Sequence, residues 1–442
     1  MVARSEEDRI SQLPDPLICQ ILSHLPSKET VKTSVLSTRW RSLWLWVPCL
    51  ELNSQLFHDF NGFISFGNRF FDTNKVSCIQ KLKLNIIDIS ENKVDHASYF
   101  ASWIDAVVKR KIQHLHVCCY PYSYLYEMPT SFYICERLVS LELHWVAWAS
   151  AEFVSLPCLK TMHLHHNMFP NEASFEKLVS CCHVLEELYI SLAEEDTKVY
   201  CVRSRSLKKL TFIRYSSSQF GSVPDIFIDA PLLCSLEIII SLLKVILLNN
   251  LESIAKLDIS PSFGFEEYEA ASYSLRRSRI RSFLSRISRV KDMTICVDTF
   301  KVIHHYSKFE LLPQFGYLSH LHVSLYAHDL KFLTAFLESC PNLKFLVLDG
   351  WEWDLFSVEK KNHINFSSVP KCLLSSLEFV DFKVPMGGVY AVEFKVVKYF
   401  LENSAVLKKL TLRLNYSSEK KDVSQELLRI PRGSAKCDVV IL

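Results

Sequence analysis

Pairs of histidines one residue apart are the most chemically suggestive feature of the chain. His114 with His116, His163 with His165, and His320 with His322 follow this pattern, and His166 adjoins the second pair. Residues two apart on a strand share a face, so each pair could present two imidazoles to one metal ion. A zinc motif also needs a carboxylate or thiol at a set interval, and none stands at such spacing. The sequence therefore favours polar residues on a solvated strand, with no metal and no cofactor. A basic run, Arg276, Arg277, Arg279, Arg281, Arg286, Arg289 and Lys291, could grip phosphates. Its apolar neighbours Ile280, Phe283, Leu284 and Ile287 keep helical spacing, which reads as the solvated outer face of a helix. The 15 cysteines are odd in number and scattered, with no C-x-x-C, as expected of buried thiols in a reducing compartment. With no G-x-S-x-G, H-E-x-x-H, P-loop or G-x-G-x-x-G, the expectation is a protein that is not an enzyme.

Composition agrees. The chain of 442 residues carries 50 basic and 48 acidic side chains, a net charge of +2. Such a balance offers little field to attract nucleic acid or an anionic membrane. Only 9 residues are glycine, too few for a fold built on phosphate-cradling loops or tight hairpins. The N-terminus is charged with no apolar run behind it, so no signal peptide is expected. The most apolar stretch, Leu232 to Leu248, is broken by Glu237 and Lys244 and reads as core rather than a membrane span. The expected location is intracellular, cytoplasmic and/or nuclear.

A repeat positions these residues. The pattern apolar-x-x-apolar-x-apolar starts at Ile79/Leu82/Leu84 and recurs to Leu407/Leu410/Leu412. About thirteen copies step by about 27 residues, within the range of leucine-rich repeats. Copies include Leu138/Leu141/Leu143, Leu159/Met162/Leu164 and Leu374/Leu377/Phe379. The last two apolar residues of each copy share one strand face, and the residue between them points to solvent. Three buried side chains contribute roughly 5–9 kcal/mol, far less than the entropy lost by ordering about 27 residues at roughly 1–2 kcal/mol each. Single units must therefore stack. The expected fold is α/β: an irregular leucine-rich-repeat solenoid, a curved parallel sheet with outer helices or loops. Phe100, Trp103, Ile104 and Val107 mark one such helix. The solvent-facing positions run Lys83, His116, Glu142, His163, Tyr189, Thr211, Glu237, Asp258, Thr294, His322, Val347, Glu378 and Thr411.

The first fifty residues show no such repeat. Pro16 to Leu25 reads as a helix opened by proline, Ser27 as the N-cap of a second helix carrying Val31, Val35 and Leu36, and Ser37 as the cap of a third holding Trp40, Leu43 and Trp44. Leu17, Ile18, Ile21, Leu22 and Leu25 span an apolar arc of about 140°, wider than one packing seam needs. Three of the chain's 8 tryptophans, Trp40, Trp44 and Trp46, crowd into the same segment. A module of this size cannot hide so much apolar surface alone, so the excess faces the repeats, a partner, or both.

These residues resemble a known family. Asp8 to Ile18 with Leu13-Pro14-Asp15-Pro16-Leu17, then Ile21-Leu22-Ser23-His24-Leu25-Pro26, then Ser34 to Trp44 are similar to an F-box, in the version found in plant F-box/leucine-rich-repeat/FBD proteins. Val369 to Phe379, Tyr399 to Leu410 and Pro431 to Cys437 resemble the FBD region, while Val384 to Gly388 departs from its more regular turn. The resemblance implies an F-box at 6–50, a repeat array at 51–362 and an FBD region continuing and capping it at 363–442. It further implies the substrate-recognition subunit of an SCF ubiquitin ligase, docked on a Skp-type adaptor and through it on cullin and RING. Carried over by position, the adaptor-facing residues are Leu13, Pro14, Leu17, Ile21, Leu22, Leu25, Pro26, Val35 and Trp40. A target protein would bind the strand faces, with His116, Glu142, His163, Tyr189, Glu237, Asp258 and His322 as candidate contacts. The alternatives are a repeat protein that binds the adaptor without directing ubiquitin transfer, and nucleic-acid binding through the Arg276–Lys291 segment.

Overall fold

A computed structural model describes residues 10, 12–71, 79–88, 94–121, 125–193, 196, 198–214, 226–239, 245–247, 256–259, 273–325, 330–349, 368–383, 390–413, 427 and 429–442. The chain divides into two compact units, 1–193 with 200–207, and 194–199 with 208–442.

The first unit opens on helices α1 (Asp15–Leu22) and α2 (Ser27–Lys32), followed by 3₁₀ segments at Thr33–Val35 and Trp40–Trp46. Proline sets both starts: Pro14 and Pro26 are the N-caps, in extended backbone that cannot continue a preceding helix. Ser27 is therefore not the expected cap. It sits in the first turn of α2, where its hydroxyl accepts the Glu51 N–H at 2.7 Å. The third segment is a 3₁₀ rather than an α-helix. Trp40 and Leu43, both buried, lie three apart and so share a side of that tighter helix. Ile18, Cys19, Leu22, Trp40, Leu43 and Val47 form one core. The Thr30 hydroxyl donates to the Leu22 carbonyl at 3.1 Å, satisfying an end of α1 while tying α2 to it.

The unit continues through β1 (Cys49–Asn53), α3 (Phe60–Phe71), β2 (Lys81–Asp88), α4 (Val94–Lys109), β3 (His114–Pro121), β4 (Tyr126–Glu127), β5 (Ser140–His144), β6 (Val146–Ala147), β7 (Thr161–His165), α5 (Glu172–Ser180), β8 (Glu187–Ser191) and β9 (Tyr200–Arg203). Strands β1-β2-β3-β5-β7-β8 are hydrogen-bonded neighbours in that order, all parallel. Leu50, Leu82, Leu115, Leu141, Met162 and Leu188 stand side by side across them, each at most 2% exposed. This is the repeat read from the sequence, with one unit more than expected. Val47, Leu50 and Leu52 are buried and precede residue 79; the tryptophan-rich segment runs directly into β1, which hid the copy. The outer helix α4 buries Phe100, Trp103, Ile104 and Val107 as its spacing requires.

The second unit carries β10 (Lys209–Ile213), β11 (Ile226–Asp229), β12 (Ser235–Ile239), β13 (Val245–Leu247), β14 (Lys256–Ile259), α6 (Tyr273–Arg286), β15 (Asp292–Ile295), α7 (Val297–Ser307), β16 (His320–Ser324), α8 (Leu330–Glu338), β17 (Phe345–Asp349), α9 (Lys371–Ser375), β18 (Phe379–Lys383), α10 (Tyr390–Asn403), β19 (Lys409–Arg413) and β20 (Asp438–Ile441). Its main sheet is again parallel, in the order β10-β12-β14-β15-β16-β17-β18-β19-β20. One copy is out of register with the sequence reading. Leu374 is exposed on α9, and the buried triad is Leu377, Val380 and Phe382. Asp381, opposite Val347, therefore takes the solvent-facing position assigned to Glu378.

The basic segment forms α6 and the turn after it. Phe283, Leu284 and Ile287 are buried, Arg281 pairs with Glu310, and Arg277 lies over the Phe309 ring. The side chains of Arg276 and Arg279, the sequence Val384 to Gly388, and Asp8, Arg9 and Ser11 lie outside the described residues. So do residues 240–244 and 248 of the apolar stretch, whose remainder contributes β12 and β13. Among the described residues no helix is long and apolar enough to cross a membrane, and each cysteine is a free thiol. Burial pushes the Cys182 and Cys372 thiols up to about 12.

Candidate functional site

Two surfaces of the first unit gather most of the residues singled out in the sequence, and Glu237, Asp258 and His322 belong to the second unit. On the N-terminal module the apolar arc of α1 splits by depth. Ile18, Cys19 and Leu22 turn into the core, with Leu22 1% exposed. Leu17 and Ile21, one helical turn apart, are 46% and 48% exposed. Leu25 beyond the helix is 43% exposed, Val35 85%, and Pro14 and Pro26 are also exposed. Leu13 is half-buried against the core. Trp40 lies within it, so Trp40 and Leu22 underpin the surface rather than form it. Leu36 and Trp46 are further exposed apolar side chains of the module and were absent from the expected set. Arg39 fixes the start of α1 by donating from Nε and a terminal nitrogen to Asp15, at 2.9 and 2.6 Å.

The second surface is the solvent side of the parallel strands. Alternation puts two rows of side chains there. One row runs Lys83, His116, Glu142, His163 and Tyr189 across β2, β3, β5, β7 and β8. The next, two residues on, runs Cys118, His144, His165 and Ser191. Glu142 bridges the rows: His116 Nδ1 lies 2.9 Å from one carboxylate oxygen and His144 Nε2 3.0 Å from the other. Burial alone would raise the Glu142 pKa, but the hydrogen bonds and charge of His144 and His116 outweigh it and bring it to about 2. The His144 and His165 rings stack at 3.9 Å, 2° from parallel, and His165 packs on Tyr189 at 4.6 Å. Burial, with neighbouring His144, lowers the His165 pKa to about 4. Just past β5 and β7, Trp145 and His166 adopt left-handed backbone (φ 56° and 52°) and stack on each other at 4.4 Å. Non-glycine residues held there cost local strain. His144, Trp145, His165 and His166 were not in the expected contact set; a two-residue step from each named strand position finds His144 and His165, whereas Trp145 and His166 needed the turn geometry.

In the second unit the corresponding row runs Thr211, Glu237, Asp258, Thr294, His322, Val347, Asp381 and Thr411. Thr211 donates to Glu237 at 3.1 Å. Glu237 and Asp258 stand directly opposite, and burial followed by the Glu237 charge raises the Asp258 pKa. His322 Nε2 and Lys383 Nζ each lie 3.1 Å from Asp349.

Parallel strands with leucines buried in register and helices on the return segments define a leucine-rich-repeat architecture, led by a small helical module with a bare apolar face. Comparison with known proteins agrees. Residues 10–52 match the F-box domain, 100–256 the LRR repeats of FBD-associated F-box protein At5g56370, and 364–412 the FBD domain. The chain is 56% identical to FBD-associated F-box protein At5g53635 of Arabidopsis thaliana, over 98% of its own length and 100% of that protein's. It is 51% identical to F-box/FBD/LRR-repeat protein At2g05300 of the same plant, over 99% and 98%. The chain belongs to the plant F-box/FBD/LRR-repeat family.

Proposed function

We propose that the chain is the substrate-recognition subunit of an SCF ubiquitin ligase. Its F-box docks a Skp-type adaptor through Pro14, Leu17, Ile21, Leu25, Pro26 and Val35, with Leu13 at the edge and Leu22 and Trp40 beneath. The adaptor connects it to cullin and RING, and the strand faces hold a target protein, with His116, Glu142, His163, Tyr189, Glu237, Asp258 and His322 among the contacts. In this reading residues 6–50 dock, 51–362 recognise and 363–442 close the array. The chain performs no bond chemistry. It works inside the cell by holding its target near a charged ubiquitin carrier, which raises the effective concentration of the two reactants.

The observation that carries this reading is the apolar face left bare on α1 and the segment after α2, while the same module fills its own core. The test expresses full-length wild type and a Leu17→Asp/Ile21→Asp variant and identifies co-purifying proteins by mass spectrometry, with and without a proteasome inhibitor. Wild type should recover adaptor and cullin, with targets rising when the proteasome is blocked. The variant should lose adaptor and cullin but keep the targets without a block. Adaptor binding with partner levels indifferent to the inhibitor would favour the non-ubiquitinating alternative, and no adaptor on wild type would overturn both.

A further inference from the structure

His116 on β3 and Glu142 and His144 on β5 bring one imidazole nitrogen, one carboxylate oxygen and a second imidazole nitrogen into a common space, all within 4.8 Å of one another. We propose that these three side chains form a binding site for a single divalent cation of the zinc class, with at least one coordination position open to solvent.

Donor chemistry selects the cation. Two imidazoles and a carboxylate suit zinc, copper or nickel, and form the donor set of three-ligand zinc sites. Calcium and magnesium favour all-oxygen shells and match poorly. Geometry supports the same class. Metal–ligand bonds of about 2.1 Å in a tetrahedral shell put donors about 3.4 Å apart. Glu142 already holds the two rings at 2.9 and 3.0 Å, and no donor pair needs to close by more than about 1.4 Å. The scaffold is rigid: His116 is directly opposite Glu142 in the ladder, and His144 follows Glu142 two residues on along the same face. The three side chains are 25%, 37% and 22% exposed, open enough for a cation to enter yet held on their flanks. The His165 ring, lying flat on His144, fixes the plane of that ligand. The nearest cation in the row, Lys83, is engaged with Glu51 at 3.2 Å. Binding exchanges the two N–H···O contacts of Glu142 for metal bonds, so each ligating nitrogen presents a lone pair and any proton it held there leaves to solvent or the other ring nitrogen. The site stands whether or not the F-box docks an adaptor.

The experiment titrates full-length, EDTA-stripped protein with zinc sulfate by calorimetry in excess magnesium, for wild type, Glu142→Gln, His144→Ala and the control His320→Ala. Wild type and the control should bind one zinc equivalent at a site weakened about tenfold or more in the other two variants. Equal stoichiometry and affinity in all four proteins, meaning zinc on scattered surface histidines only, overturns the proposal. Thermal unfolding in EDTA checks that each variant folds. Should either ligand variant fail there, cobalt(II) added to wild type decides: intense tetrahedral-type visible bands support the site, and the pale spectrum of the aqueous ion overturns it.

Discussion

Replacing Leu17, Ile21 and Val35 together by alanine separates docking from folding. The three side chains are 46%, 48% and 85% exposed, so their outward parts have no partner to lose in the free chain. Burying an aliphatic side chain of this size completely stabilises by roughly 1.5–3 kcal/mol. Scaling by the exposed fractions, and leaving alanine its own share, gives a loss of roughly 2–4 kcal/mol on docking. That corresponds to about 30- to 1,000-fold in Kd. The half of Leu17 and of Ile21 that is buried should cost the fold about 0.5–1 kcal/mol each, and Val35 almost nothing. Leu22→Ala makes the opposite perturbation. At 1% exposure inside the module's core, it should cost about 2–5 kcal/mol of stability. The assay is calorimetric titration of each full-length protein with a Skp-type adaptor, alongside thermal unfolding. Undiminished adaptor affinity in the triple variant would refute the reasoning, as would a fall in its Tm matching that of Leu22→Ala.

Three further outcomes test the packing and the electrostatics. A Cβ at Gly67 would sit 2.5 Å from Cζ2 of Trp103, so Gly67→Ala should push α3 from α4 and cost about 1–3 kcal/mol, read as a lowered Tm. Asp258→Asn should stabilise the fold at pH 7 by about 0.5–1 kcal/mol, since it removes a carboxylate facing Glu237. Asp258 has a raised pKa in the fold, so its ionised form destabilises and the gain should vanish once acid protonates Asp258 in both states; melts from pH 7 to 3 check both sign and window. Exposed Cys158 and Cys234 should react with a thiol reagent in the native protein, whereas buried Cys119, Cys182, Cys340 and Cys372 should react only after unfolding. Labelling followed by peptide mapping distinguishes the two groups.

The strands were legible because their signal is local. Leu138, Leu141 and Leu143 announce a buried triad by spacing alone, and all three are buried at and just before β5. Where two overlapping triads compete, as at Leu374/Leu377/Phe379 and Leu377/Val380/Phe382, spacing cannot choose. The short helix α9 decided by taking Leu374 onto its exposed side. The F-box arc was legible as an excess of apolar surface, but its division into core and face was not. Leu22 and Ile21 are adjacent and chemically alike, and it is the core shared with Trp40, Leu43 and Val47 that buries one and leaves the other out. The His116–Glu142–His144 group escaped motif spacing because its members come from two strands, 26 residues apart at the ladder position where His116 meets Glu142. Parallel register, not sequence interval, makes them neighbours.

Hydrogen–deuterium exchange on the full chain, with and without a Skp-type adaptor, tests most directly whether the N-terminal module is the docking surface. The account predicts that amides of α1, α2 and the turn through Leu36 become protected on complex formation, while β5, β7 and β8 exchange as in the free protein. Unchanged exchange across residues 13–36, or protection concentrated on those strands, would contradict it.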